Sequence, residues 1–389
     1  GWRDFLVMMI AAGAKGTRGA GDLCVYFLLR TYSLLRDGGA FGLITTNTVS
    51  QGDSRTIGLS KIVDSGGSIF SARKSMHWPG SASTEISQVF VFKGEYAGTR
   101  SIDMTPVKHV SPFLTDFDLP DEPQKLVSNA DLAFEGAKLI GDGFILEPDE
   151  AEELKAIIGD GAERVILPFL SGSDINSRPR SDASRWAINF WNWPLDRASA
   201  PQDYDGPVAT DYPECLQVVR ERVLPFRQSK PKNSAGLKAM LSRWWQYYLW
   251  RPAMYEAISA LPRVLVRSRV SNTHALVLTS PESVLSDATV VFALSEYDSF
   301  AALQCRVHEE WLKMYASTMR NDIRYTPTSC FQTFPLPAST SSSQGHTKAI
   351  GKEYYEFRAD LMVRNDEGLT KTNNRFDDPE ETSPDIQKL

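Results

Sequence analysis

Residues 41–48 read FGLITTNT and residues 86–93 read ISQVFVFK. The first is an apolar run closing in polar residues, the pattern of a buried strand. The second is dense in Ile, Val and Phe, a strong strand signal. Between them Ser68–Met76 (SIFSARKSM) alternates weakly. Ahead of them Asp22–Leu35 (DLCVYFLLRTYSLL) has helical spacing, and Gly38-Gly39 stops it. Helix, strand, strand, strand, with no helix between the last two strands, predicts the end of a doubly wound sheet that closes in an antiparallel hairpin. Ligands in such sheets bind beyond the carboxyl ends of the strands, so Asn47 is a candidate for a pocket rim. The plainer reading of Asn47 is a strand-ending residue. Trp78, in the loop HWPGSAS between the last two strands, offers an aromatic face on which a base turned out of a duplex could stack. The plainer reading is a Trp packed on its own domain.

Bulk properties narrow the class. The 389 residues suggest two to three domains. A hydrophobic content of 42% and a charged content of 23% are ordinary for a globular protein. The net charge of −6 means that any nucleic-acid binding comes from a local patch. Cys24, Cys215, Cys305 and Cys330 lie far apart. They form neither a zinc spacing nor a disulfide framework, which points to a reducing cytoplasm. The apolar runs are too short to cross a bilayer, so no membrane partner is expected. The chain starts at Gly1 inside an amphipathic segment and stops in a polar run. Both features lead to the expectation of a fragment of a longer protein.

Beyond the first domain, Thr99–Asn129 is rich in Pro and Asp and reads as a connector. Pro148–Ile158 reads as a short helix whose acidic first turn suits the helix dipole. Ser184–Trp193 (SRWAINFWNW) is aromatic, mostly core. Val218–Arg251 is the most basic stretch and contains RWWQYYLWRP. Within it, Trp244 and Tyr248 are expected in the core, and the loop Gln228–Ala235, with Lys230 and Lys232, on a nucleic-acid backbone. Arg263–Thr279 reads as a hairpin with Arg267 and Arg269 on one open face, costly unless something negative meets them; this makes both candidate phosphate contacts. His274 reads as a turn residue. A further strand is expected over Ser286–Leu294, then a helix from Asp298 through Met319.

That helix delivers the chain to RNDIRYTP, starting at Arg320. Arg can hold the O6/N7 edge of guanine with two bonds, and Asp can accept from the amino group of cytosine. Arg320 and Asp322 stand at i and i+2, the same side of extended backbone, so together they could read one G·C pair. Arg324 beside them is a candidate backbone contact. The alternative is a loop stapled by its own salt bridges. After a Ser-rich linker at 335–345, Ile350–Val363 reads as an amphipathic helix.

Three runs carry a more specific likeness: GDLCVYFLLR (Gly21–Arg30), LLRDGGAFGLITTNTVSQGDSR (Leu34–Arg55) and SARKSMHWPGSASTEISQVFVFKG (Ser71–Gly94). They resemble the MmeI-like type IIL restriction–modification enzymes. GSDINSRP and SRWAINFWNWPLDRA resemble the opening of that family's target recognition domain. The resemblance implies an α/β + α+β chain. It would hold the C-terminal strands of a class I (Rossmann-like) adenine-N6 DNA methyltransferase over 1–110 and a connector over 111–130. A mixed, β-rich target recognition domain would follow over 131–337, then the start of a helical region over 338–389. It implies duplex DNA as partner and S-adenosyl-L-methionine as cofactor of the intact protein. It also implies that paired residues at 320 and 322 choose one base. The cofactor loop and the Asn-Pro-Pro catalytic loop of that family precede the point matching Gly1, and no Asn-Pro-Pro occurs here. The chain alone is therefore expected to be inactive. Two other readings stay open at this stage: a nuclease-free methyltransferase of a phage-exclusion system, and a stand-alone DNA specificity subunit.

Overall fold

The computed structural model describes residues 21–81, 84–117, 123–230, 235–319, 322–337 and 341–389. Contacts divide the chain into two compact units. Gly1–Lys125 with Trp311–Thr333 forms one, and Leu126–Glu310 with Phe334–Leu389 the other.

In the first unit an α-helix, Leu23–Leu34, precedes β1 (Ala40–Thr46). β2 (Gly67–His77) and β3 (Glu85–Lys93) follow, then the short hairpin β4 (Arg100–Ile102) and β5 (Thr105–Val107). The sheet order is β1-β3-β2-β4-β5. β3 lies antiparallel to both β1 and β2, as the expected closing hairpin requires. Val89 and Val91 of β3 point into a core with Leu28, Ile69 and Ala72. Two features were not foreseen. The proposed connector begins inside the sheet, because β4 and β5 occupy its first residues. Between β1 and β2, an α-turn (Gly52–Arg55), a π-turn (Thr56–Ser60) and another α-turn (Lys61–Asp64) run on without a break. Gly58 lies in the π-turn, where an added Cβ would meet Val25 at 2.7 Å. A side chain there would push this helical run off the first helix.

The second unit holds two four-stranded sheets. One orders Val277–Thr279, Val264–Ser268, Thr289–Phe292 and Ala133–Glu135. Every residue of Val264–Ser268 is buried, as befits a central strand covered on both faces. The other orders Val284–Leu285, Ile166–Leu170, Arg185–Ile188 and Ile145–Leu146. The helix over Pro148–Ile158 forms where expected, with Pro at its start and acids in its first turn. A large core gathers Phe144, Phe190, Val219, Trp245 and Tyr247. Here the expected register was off by one. Residues 243–249 are not helical, and Lys138 bridges Leu249 in an antiparallel contact. This turn-rich piece buries Trp245, Gln246 and Tyr247 and leaves Trp244 and Tyr248 half-buried on either side.

The long helix expected from Asp298 is two helices, Tyr297–Gln304 and Arg306–Tyr315, and it ends four residues early. Helix Ser341–Asn365 packs on the first of these, so closely that an added Cβ at Gly351 would fall 2.2 Å from the Tyr297 carbonyl oxygen. Arg358 of this helix is buried, donates to the Leu276 carbonyl and to Gln304 Oε1 (3.2 Å), and faces the rings of Phe300 and Tyr354.

Candidate nucleic-acid interface

The Arg320 region is reached by a β-hairpin rather than by a helix end. Ser317–Met319 pairs antiparallel with Asp322–Arg324, in the register Ser317↔Arg324, Thr318↔Ile323 and Met319↔Asp322. Arg320 lies outside the described residues. Asp322 and Arg324 share one side of their strand and are both half-buried. An acceptor and a fork of donors therefore stand side by side on one face.

The base of this hairpin is anchored. Tyr325, Cys330 and Phe331 are fully buried, and Pro327–Phe331 forms a π-turn. Trp311 Nε1 donates to Thr333 Oγ1 (3.2 Å), which donates to the Ser329 carbonyl (2.6 Å). Trp311 leans on Tyr315, Tyr315 meets the edge of Phe113, and the Arg55 guanidinium sits 3.7 Å over Phe113. All of these belong to the first unit.

Elsewhere in this unit, Asn47 is 9% exposed, in the 3-10 turn (Asn47–Ser50) that follows β1. Next to it Asp22 Oδ2 accepts from Thr46 Oγ1 (2.7 Å) and Thr48 Oγ1 (2.9 Å). Burial pushes this carboxyl up, but the two hydroxyls and nearby backbone N–H groups outweigh it, so Asp22 stays below its usual range. Trp78 is 39% exposed, and an added Cβ at Gly80 would lie 2.5 Å from its Nε1. Its backbone N–H donates to the Thr84 carbonyl (2.9 Å). Trp78 thus packs over its own loop while leaving part of the ring in the open.

In the second unit the expected cationic residues part company. Arg267 does not stand on an open face: it is 0% exposed, donates to His274 Nδ1 (2.8 Å) and to the Ser268 carbonyl (3.0 Å), and cannot reach a phosphate from there. The strand that carries it is covered on both sides, which alternation alone did not reveal. His274, taken for a turn residue, is an interior one; its Nε2 meets the Leu303 carbonyl at 2.6 Å. The negative group facing Arg269 is internal. Glu135 Oε1 lies 2.6 Å from Arg269, and Oε2 lies 3.2 Å from Arg251. Lys230 is exposed with Nζ 4.3 Å over the Phe226 ring, and Lys232 lies outside the described residues. Two other members of the basic stretch are also committed: Arg222 pairs with Glu150, and Arg227 is fully buried among carbonyls.

Residues 124–338, more than half of the chain, match the family described as MmeI, target recognition domain. The chain belongs to that family. DNA methyltransferase A of Bacillus subtilis (strain 168) is 20% identical over 362 residues, covering 81% of this MmeI-family chain and 35% of that protein. The solved structure of the type IIL restriction–modification enzyme MmeI in complex with DNA superposes with a TM-score of 0.77 at 15% identity. That superposition covers 99% of this chain and 50% of MmeI, and at such identity it speaks for the fold alone. The chain thus spans about a third of its curated relative and half of MmeI.

Proposed function

We propose that this chain supplies sequence-specific recognition of duplex DNA to a type IIL restriction–modification protein that methylates adenine at N6. The family match across 124–338 carries the reading. The anchored hairpin that sets Asp322 beside Arg324 supports it. The comparisons favour neither a nuclease-free phage-exclusion enzyme nor a separate specificity subunit. Within the reading, 1–110 is the last part of a Rossmann-like methyltransferase sheet, supported by the antiparallel β3 between β1 and β2. β1 is an edge strand with Ile44 56% exposed, which suits a sheet that extends past it. Residues 111–130 connect, 131–337 recognise DNA, and 338–389 open the helical region. Trp78 stacks on the flipped adenine, Asn47 borders its pocket, and Lys230, Lys232, Arg269 and Arg324 meet phosphates.

S-adenosyl-L-methionine is the methyl donor of the intact protein in this proposal. Among the described residues no strand is directly followed by a G-x-G turn. No chemical step is assigned to the described residues.

The reading is tested at 320 and 322. Arg320→Glu with Asp322→Arg, made in the intact enzyme, should move the preference from G toward C at one target position, since each lost bidentate contact is worth roughly 1–3 kcal/mol. Mapping methylated sites across a genome that carries the double variant reads the outcome. A recognition sequence left unaltered means that these residues do not read bases.

A further inference from the structure

Around Arg269, already proposed as a phosphate contact, stand two further cations, Arg251 and Lys138. Arg251 is held with φ +63° and ψ +60°, a left-handed conformation that a long side chain rarely adopts. The conformation turns its guanidinium back across the neighbouring strand. Nε donates to the Gly136 carbonyl (3.1 Å) and an Nη nitrogen to Glu135 Oε2 (3.2 Å). From the other side Arg269 meets Glu135 Oε1 at 2.6 Å and the Asp287 carbonyl at 3.4 Å. Lys138 joins them. It is exposed, and its backbone exchanges two hydrogen bonds with Leu249, two residues before Arg251. Gly136 lies close against a different segment, Leu285–Ser286, where an added Cβ would sit 2.1 Å from the Ser286 carbonyl oxygen.

Two guanidiniums therefore face one carboxylate. The side chains of Arg251, Glu135 and Arg269 are 29%, 27% and 19% exposed, so this is a rim open to water and not a buried triad. One carboxylate fixes both guanidiniums yet cancels only one of their two charges, and the exposed Lys138 follows Glu135 closely in the chain. A local excess of positive charge is thus kept on a chain whose net charge is −6. Arg251 and Arg269 are held toward the same carboxylate, so both forks present donors to one incoming anion.

We infer that Lys138, Arg251 and Arg269 form a phosphodiester-binding rim, with Glu135 as the positioning residue that sets the two arginines before DNA arrives. The inference rests on the duplex-binding reading above. It adds Lys138 and Arg251 to the interface and gives Glu135 a role opposite in sign to theirs. A phosphate entering the rim competes with Glu135 for the guanidinium donors, so the carboxylate also restrains non-specific binding.

The test is the salt dependence of duplex binding by the full chain, using a random-sequence duplex and fluorescence anisotropy. Each phosphate contact contributes about 0.9 to the slope of log K against log salt. Arg251→Met and Lys138→Met should each make the slope shallower by about that amount. Glu135→Gln should make binding several-fold tighter and the slope steeper, which a purely structural ion pair does not predict. Melting curves of each variant verify folding; should Arg251→Met fail to fold, Lys138→Met and Glu135→Gln decide. Wild-type chain that binds no duplex overturns the duplex-binding reading and this rim with it. Wild-type chain that binds, with slopes unchanged in the folded variants, overturns the rim alone.

Discussion

Arg227 brings its charge into the interior, and its whole guanidinium is spent on the main chain. Nε donates to the Ile140 carbonyl (3.1 Å), and the two Nη nitrogens donate to Leu139 (2.7 Å), Gln246 (2.9 Å) and Trp244 (3.1 Å). Burial pulls its pKa down to about 10, which leaves it charged at neutral pH. It ties residues 139–140 to the turn at 244–246. Arg227→Met should lower stability by roughly 3–5 kcal/mol, since several buried carbonyls lose their donor. Arg227→Lys should recover only part of this, because an ammonium cannot fork. Urea midpoints of the two variants check both statements. His274 gives a pH dependence. Burial, then the positive charge of Arg267, pushes its imidazole well below the usual range. Arg267 can only donate, so His274 accepts at Nδ1 and must carry its proton on Nε2, toward the Leu303 carbonyl. The unfolded chain takes up a proton below about pH 6.5 and the folded chain refuses it. Stability is therefore complete above that pH and falls as the pH drops through 6 to 5, by at most about 1.4 kcal/mol per pH unit. His274→Gln should flatten this slope in the urea midpoint. An equal slope in the variant would place the titration elsewhere.

At the scale of elements, the sequence was most legible where one period ruled a whole segment. The first helix, β1, β2, β3 and the helix Pro148–Ile158 stand within a residue or two of expectation. It was least legible where a tertiary partner decided. Nothing in WWQYY states that the segment is turn rather than helix, because the bridge that follows it, Leu249 to Lys138, is made to a residue far away in the sequence. Nothing in VLVRSR separates a strand open on one face from one covered on both, so Arg267 was placed on the surface. The helix expected through Met319 hid the hairpin, because strand alternation over three residues is too short to register beside a strong helical pattern. The close crossing at Gly351 was also invisible, since its reason is the Tyr297 carbonyl on another helix. Gly351→Val should force the two helices apart and cost about 1–3 kcal/mol, read as a lowered melting temperature. Gly345→Val, on the same helix with open space around it, should have little effect and serves as the control.

For the whole molecule, the net charge of −6 implies that any DNA interface is local. Within the basic stretch Arg222 and Arg227 are committed to folding, while Arg251 shares Glu135 with Arg269 from outside it. The candidate site was legible as a segment, RNDIRY, and not as the hairpin that presents it. Two whole-chain outcomes follow from the proposed division of labour. Purified chain mixed with labelled S-adenosyl-L-methionine and DNA should transfer no methyl group; transfer would show that the chain makes its own catalytic centre. Changing Lys230 and Lys232 together to Ala should weaken binding to all duplexes alike and make the salt slope shallower by about two. An unchanged slope removes that loop from the interface.

The path of the chain also bears on how specificity can be exchanged between proteins of this family. The matched stretch 124–338 is continuous in sequence, and it invites use as a cassette to be cut from one parent and pasted into another. Yet Trp311–Thr333, the part that carries the hairpin, keeps its company with Gly1–Lys125, through Tyr315 on Phe113 and Phe113 under Arg55. A graft cut at 124 would take the hairpin's feet and leave behind the floor on which they stand. Recipients that retain an aromatic residue at 113 and a cation at 55 should accept a foreign cassette, while others would inherit a new reading head on a loose mount. Trading specificities would then depend on Phe113 and Arg55, two side chains outside the exchanged stretch.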